Sequence, residues 1–192
     1  MYQFKKGVHV ASAIKVPFTN RWIWLRTGSI RRARKKVRRE PNNAEAHYCL
    51  AKALLENFDV GKALSQSRPG EVLSRKGLNR EAIYELREVI RLNPLHFEAR
   101  LDLCCILSDE GKTQEQIKEC TDALRLLPPD EETRLHRQLV FWNSYLHYLL
   151  GCAFYDTGKI DSARKEWNHA VSLGSSPGEY AARQMLERYS DE

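Results

Sequence analysis

The strongest constraint in this chain is a pattern of large and small residues that recurs about every 34 residues. In the stretch 97–128, leucines and small residues take fixed places on both sides of Gly111, and Pro128 closes the unit. The same order recurs, with insertions, in the stretches 44–94 and 131–175. A period of this length indicates helix hairpins that bury their apolar faces by stacking on their neighbours. The pattern therefore predicts an all-α protein.

The three copies share their large, small and helix-ending positions. In the middle copy these are Leu103, Cys104, Leu107, Gly111, Cys120, Ala123, Leu124 and Pro128. In the first they are Leu50, Ala51, Leu54, Gly77, Ala82, Leu86, Val89, Ile90 and Pro94, and in the third Leu150, Gly151, Phe154, Gly158, Ala163, Trp167, Ala170 and Val171. This order resembles the tetratricopeptide repeat. The resemblance implies a right-handed α-solenoid of about three hairpins whose concave face binds other proteins.

Charge divides the chain into two predicted parts. Residues 1–40 hold twelve Lys or Arg and one acid, Glu40, whereas the remaining 152 residues hold 19 bases and 24 acids. The net charges are therefore +11 and −5, which sum to the +6 of the whole chain. We expect a basic N-terminal arm over 1–40 and a repeat domain over 41–192, which ends in a closing helix over 178–189.

Capping and breaking residues predict the helices. Asn43 starts a helix over 44–56, and Asn93-Pro94 ends one over about 78–91. Helices follow over 97–109, 113–126, 130–156 and 160–172. The 19 extra residues of Phe58–Lys76 form either a surface loop, with room for one short helix, or a loop that contacts a partner. The 13 extra residues before Ser144 extend the first helix of the third repeat by three to four turns.

Several positions depart from the repeat that the chain resembles. The aromatic residue usual near the start of each first helix is replaced by His47, Arg100 and His147. Gln116 stands where the second repeat needs a small residue, and Ser175 replaces the closing proline of the third. Because His47 and His147 are equivalent, we interpret both as packing residues. The repeats are divergent, but the positions that let helices pack closely are kept.

No residue pattern predicts catalysis. The sequence has no phosphate-binding glycine loop, zinc-protease motif or nucleophile elbow, and no histidine has zinc-ligand spacing with another His or Cys. The five cysteines form no C-x-x-C pair, and the odd count favours thiols in a reducing compartment. Cys104 and Cys105 point apart on a helix, which predicts two separate thiols. We expect a non-enzyme without metal, cofactor or small-molecule substrate.

The resemblance places a binding groove along the first helices of the hairpins. The matching positions are Tyr48, Lys52, Leu55, Glu98, Leu101, Asp102, Cys105, Asp109, Tyr145, Tyr148, Cys152, Tyr155 and Asp156. Tyrosines with a few acids suit a basic or amphipathic peptide. Alternatively, several of the tyrosines pack on the neighbouring helix. A chaperone tail is rejected, because only Lys52 is cationic and Asp102 would repel its carboxylate.

The arm combines cations with tryptophans. Ser29 is the predicted cap of a helix that runs through Arg39, with a thin apolar stripe and cations on the other faces, namely Arg31, Arg32, Arg34, Lys35, Lys36, Arg38 and Arg39. Trp22 and Trp24 suit a membrane interface or a protein contact. An anionic lipid surface, a nucleic acid and an acidic protein all fit this arm. It also fits a degenerate repeat helix that packs on the first hairpin, since Pro41 lies where a repeat's proline would.

Membrane insertion is not expected. The uncharged stretch Leu139–Tyr155 is shorter than a spanning helix and follows the repeat pattern. Lys15 and Pro17 interrupt the N-terminal apolar residues, which disfavours a secretory signal, although the acid-free start also resembles an organellar transit peptide. We expect a cytoplasmic scaffold or adaptor, with an organelle matrix or an anionic membrane as alternative locations. An RNA-binding factor that uses the arm is the competing functional class.

Overall fold

The computed structural model describes residues 20–56, 75–127, 136–174 and 177–189, and within these ranges all regular structure is helical. We number the helices α1 to α8 in chain order. Their bounds are Asn20–Arg39, Ala44–Glu56, Arg75–Leu92, Phe97–Asp109, Thr113–Leu126, His136–Asp156, Ile160–Ser172 and Pro177–Arg188.

The helices stack in sequence order. Each helix packs on the next along the chain, and α4 and α6 also contact each other, as do α6 and α8. The pairs α2–α3, α4–α5 and α6–α7 are therefore three hairpins whose first helices lie side by side, and α8 covers the last of them. This arrangement confirms the predicted all-α solenoid of three hairpins and a closing helix.

Most helix bounds follow from the breaking residues. The predicted bounds of α2, α4, α5 and α7 are confirmed, and α8 begins one residue before its predicted start. Gly111 and Gly158 adopt φ angles of 67° and 75° in the turns of the second and third hairpins, where a side chain would be strained. The start of α3 was predicted too late, since the helix begins at Arg75. Most of the predicted loop 58–76 lies outside the described residues.

The first helix is longer than predicted. It begins at Asn20, so the prediction that Ser29 caps it is wrong. After Pro17 the sequence contains no proline before Pro41, and the single Gly28 costs a helix only about 1 kcal/mol. The stripe of Ile30, Ala33 and Val37 packs against the cluster formed by the first hairpin. The C-terminal half of α1 is thus joined to the repeats, as the degenerate-helix interpretation requires.

The buried residues form three clusters, one for each hairpin and its neighbours. The first joins α1 to α4 around Leu50, Leu86 and Leu103. The second joins α4, α5 and α6, and the third is built on Trp167, which is fully buried between α6, α7 and α8. A sequence of local clusters is what a stacked repeat requires, because each unit contacts only its neighbours.

Each hairpin carries a buried or partly buried contact between a basic side chain and a glutamate that the sequence did not predict. In the first, His47 Nδ1 lies 2.6 Å from Glu85 Oε2. In the second, Arg100 Nη1 lies 3.9 Å from Glu119 Oε2, and in the third His147 Nδ1 lies 2.6 Å from Glu166 Oε2. The three pairs occupy equivalent positions, so the residues that replace the usual aromatic tie the two helices of each hairpin together.

Two of these basic side chains, His47 and Arg100, also contact the turn that precedes their helix. His47 Nε2 lies 2.9 Å from the carbonyl oxygen of Pro41, and Arg100 Nε donates to the carbonyl oxygen of Pro94 at 2.8 Å. In both cases the carbonyl belongs to the proline six residues upstream. The two ring nitrogens of His47 therefore contact two different parts of the chain, Glu85 on α3 and the turn before α2. These contacts fix the angle at which the chain enters α2 and α4.

The other departures from the repeat also have structural explanations. Gln116 is buried, and its Nε2 donates to the carbonyl oxygen of Leu149 at 3.0 Å, so it joins α5 to α6 by a hydrogen bond where a small residue would allow close contact. His147 is partly buried, and burial lowers its pKa, with the neighbouring His169 adding to the shift while Glu166 opposes it. Ser175 lies outside the described residues.

Candidate binding groove and basic face

The predicted groove residues lie on α2, α4 and α6, and we call this set the groove. All thirteen side chains are exposed or partly exposed, and none is fully buried. Some of them nevertheless contact the core, as Leu55 packs on the first cluster and Leu101 on the second. The first helices of the hairpins therefore present a continuous surface whose base is the hydrophobic core.

One end of the groove is a polar cluster around Asp102. The hydroxyl of Tyr48 donates to Asp102 Oδ2 at 3.2 Å, and Lys52 Nζ lies 3.6 Å from the same oxygen. The ring of Tyr48 also lies against that of His96, with 4.4 Å between centroids. These contacts join α2 to α4 and orient the ring of Tyr48. His96 was not among the predicted groove residues, because it precedes α4 and serves as its N-cap.

Burial dominates the electrostatics of this cluster. It raises the pKa of Asp102 above its ordinary value of 3.8, although Lys52 and the Tyr48 hydroxyl act in the opposite direction. The pKa of Tyr48 is also raised, first by burial and then by the charge of Asp102. The carboxylate of Asp102 is therefore less stable here than in water, even with Lys52 beside it.

The centre of the groove is a row of tyrosines and thiols on α4 and α6. Cys105 lies beside Tyr145, and Cys152 lies beside Tyr148. Burial raises the pKa of Cys105 to about 12 and that of Cys152 to about 11, so both remain neutral thiols. The rings of Tyr145 and Tyr148 lie 5.7 Å apart. Cys104 instead faces the core beside Cys120, which confirms that the two vicinal thiols are separate.

The far end of the groove continues onto the closing helix. The ring of Tyr155 lies 4.4 Å from that of Tyr189 and 5.9 Å from that of Trp167. Tyr189 follows α8 and Phe141 stacks on Tyr145, and neither was predicted as a groove residue. The repeat template covers only the first helices of the hairpins, so a position beyond α8 or in the extension of α6 gives no signal in it.

The acids of the groove outnumber its cations. The set contains one lysine, Lys52, and four acids, namely Glu98, Asp102, Asp109 and Asp156. Asp156 lies at the surface, yet the neighbouring atoms bury it enough to raise its pKa. The groove thus combines a negative charge with tyrosine rings, which suits a segment that brings cations and apolar side chains.

The cations of α1 lie on a different surface. Arg34 faces inward and makes two hydrogen bonds to Glu81 of α3, at 2.8 and 2.5 Å. Its neighbours Arg31, Arg32, Lys35, Arg38 and Arg39 are exposed and line one open hollow. We call these five residues the basic face. Lys36 is exposed beside Cys49 of α2. Trp22 and Trp24 lie in α1, but their side chains fall outside the described residues.

Comparison with known proteins rests on structure, since no protein-family model and no curated protein matches the chain. A crystal structure of MamA superposes with a TM-score of 0.60 at 20% identity and covers 88% of this chain and 82% of that one. TTC0263, a thermophilic tetratricopeptide-repeat protein of Thermus thermophilus, superposes with a TM-score of 0.56 at 17% identity and covers 87% and 74%. The chain has the tetratricopeptide-repeat fold.

The fold is therefore the one that the repeat pattern of the sequence predicted. Sequence identities this low establish the fold and no further property. A MamA RS-1 double mutant adds a further superposition, with a TM-score of 0.55 at 19% identity. Stacked hairpins of this kind form extended surfaces along their first helices. Among the described helices, none is long and apolar enough to cross a membrane.

Proposed function

We propose that this protein is a non-catalytic scaffold, adaptor or assembly factor that binds a segment of a partner protein in the groove. The observation that carries the proposal is the aligned surface of α2, α4 and α6. On it, aromatic side chains are held in fixed orientations by contacts to neighbouring helices. Fixed aromatic rings contribute contact area to binding at a low cost in conformational entropy.

The groove charges define the partner segment. Asp102 and Asp156 hold carboxylates that burial destabilises, and a cation from a bound segment would relieve that cost. Glu98 is half exposed near the same end of the groove as Asp102. The segment that fits is a basic or amphipathic peptide whose apolar side chains contact the tyrosine row. In the same proposal, the basic face docks the scaffold on an anionic surface or an acidic protein.

A selection from a randomised peptide library tests the groove. The intact protein should enrich peptides that combine Lys or Arg with large apolar residues. The variant Glu98→Lys with Asp156→Lys should lose that enrichment or shift it toward acidic peptides. The matched variant Asp122→Lys with Asp161→Lys changes the net charge equally on α5 and α7, and it should select the same peptides as the unmodified chain.

Two results would contradict the proposal. One is that both double variants alter the selected peptides to the same extent, since the effect would then follow net charge and not the groove. The other is that the unmodified protein selects no peptide family at all. The melting temperature of each variant shows whether a lost selection reflects unfolding.

A further inference from the structure

The basic face brings five exposed cations together on one helix. None of its five cations forms an ion pair or a side-chain hydrogen bond within the described part of the chain, whereas Arg34 between them is fully engaged with Glu81. Residues 31, 35 and 38 share one stripe of the helix and 32, 35 and 39 the next. All five therefore lie on one side of α1, opposite the stripe that packs on the first hairpin.

The packing of α1 on the first hairpin makes this arrangement of cations possible. Arg31 and Lys35, and Lys35 and Arg39, are like charges four residues apart, which oppose an isolated helix. Ile30 is 9% exposed, and with Arg34 it anchors the helix to α2 and α3. The cations are consequently presented in a fixed array, so an anionic surface that binds them need not order the helix first.

We propose that the basic face docks the protein on an anionic lipid bilayer. This inference rests on the proposed role of α1 in docking and is independent of the groove. A cluster of four to eight Lys and Arg on an amphipathic helix is the pattern that anionic headgroups bind. Four of the five cations are arginines, whose planar guanidinium groups match phosphate oxygens in pairs.

The sequence around the face favours a bilayer over a nucleic acid. Residues 31–39 contain only Arg, Lys, Ala and Val, so this stretch has no aromatic ring on which a base of a single strand could stack. In the sequence of the same helix, Ile23 and Leu25 alternate with Trp22 and Trp24. Tryptophans with aliphatic neighbours suit the interface of a bilayer, where apolar insertion adds to charge attraction.

Sedimentation of the full chain with vesicles tests the proposal. The protein should bind phosphatidylcholine vesicles that contain phosphatidylserine and should not bind pure phosphatidylcholine. The variant in which Arg31, Arg32, Lys35 and Arg38 are changed to Gln should lose more than about a hundredfold in partitioning, since each cation near such a surface contributes about fivefold. A control variant removes four exposed cations elsewhere, Arg80, Lys118, Lys165 and Arg188, and should stay within about twofold of the unmodified chain.

Three results would overturn the inference. Equal losses in the two variants would assign binding to net charge, and absence of binding to the anionic vesicles would remove the bilayer as the partner. Tighter binding to single-stranded RNA than to the vesicles, lost in the basic-face variant, would make the face a nucleic-acid site. Because none of these variants touches the groove, peptide selection should be unchanged, and the two proposals fail separately.

Discussion

The groove and the basic face are both charged surfaces of one small solenoid, but their charges are held differently. In the groove, Asp102 is contacted by Tyr48 and Lys52, and the rings of Tyr145 and Tyr148 lie against each other. On the basic face, five cations have no partner among the described residues. A surface whose side chains contact one another, such as the groove, favours a partner of matching shape and orientation. A set of unpaired cations, such as the basic face, attracts any surface of high negative charge, and it does so over a distance.

The comparison depends first on α1 being a fixed part of the fold. Of the substitutions considered, Ile30→Ala should have the largest effect on stability. Ile30 is buried against the first hairpin, so its truncation should lower the free energy of unfolding by about 2 to 3 kcal/mol in a urea titration. Leu95→Ala, at a 60% exposed leucine, should change it by less than about 0.5 kcal/mol. Equal small effects would mean that α1 is a loose arm and that the basic face has no fixed geometry.

The groove tyrosines should contribute to stability as well as to binding. Tyr148 packs against both the second and the third cluster, so Tyr148→Ala should cost about 1.5 to 3 kcal/mol. Tyr84, which is 61% exposed on α3, is the matched control, and its replacement by Ala should cost less than about 0.5 kcal/mol. If thermal unfolding shows no difference between the two, the groove rings are not held by the core.

A groove charge should couple to folding with a defined sign. Because the pKa of Asp102 is raised in the folded state, the carboxylate destabilises the protein at neutral pH. Asp102→Asn should therefore raise the free energy of unfolding at neutral pH, where the aspartate is charged and the asparagine is not. The gain should disappear as the pH falls through the raised pKa and then below 3.8, where the carboxyl is protonated in both the folded and the unfolded state. Urea titrations at several pH values measure this, and a loss of stability at neutral pH would mean that the contacts to Lys52 and Tyr48 outweigh burial.

Removing the cations of the basic face should have the smallest effect on stability. The four Gln substitutions at Arg31, Arg32, Lys35 and Arg38 should change the free energy of unfolding by less than about 0.5 kcal/mol, because these side chains have no partner among the described residues. Arg34→Gln breaks the pair with Glu81 and should be more destabilising than the four together. The reverse order in a urea titration would show that the exposed cations serve the fold.

Much of the fold could be predicted from the sequence, because its helices are bounded by local signals. Asn43, Gly111 and Gly158 mark starts and turns where the structure has them, and the spacing of large and small residues predicts the stacking order. The start of α1 was missed because Ser29 was interpreted as the cap, although Thr19 and Asn20 are also residues of the capping type. The contacts of His47, Arg100 and His147 with glutamates were missed because those glutamates lie on the other helix of each hairpin. A pattern along one helix does not pair residues of two helices.

The candidate sites could be predicted only in part. The groove residues on α2, α4 and α6 follow from the repeat, but His96, Phe141 and Tyr189 join the groove through tertiary packing that the template does not cover. The sequence does not distinguish the cations of α1 from one another. In the structure, Arg34 is bonded to Glu81, whereas the five cations of the basic face are exposed. That distinction depends on Glu81, which lies 47 residues along the chain.

Photocrosslinking to the native partner tests the central claim most directly. A photoreactive residue at position 98 lies in the groove, and one at position 84 lies exposed on α3, the second helix of the first hairpin. In extracts of the native source, the groove position should crosslink to one protein species through a basic or amphipathic segment, and position 84 should not. Crosslinks to the same protein from position 84 and none from position 98 would contradict the groove as the binding surface.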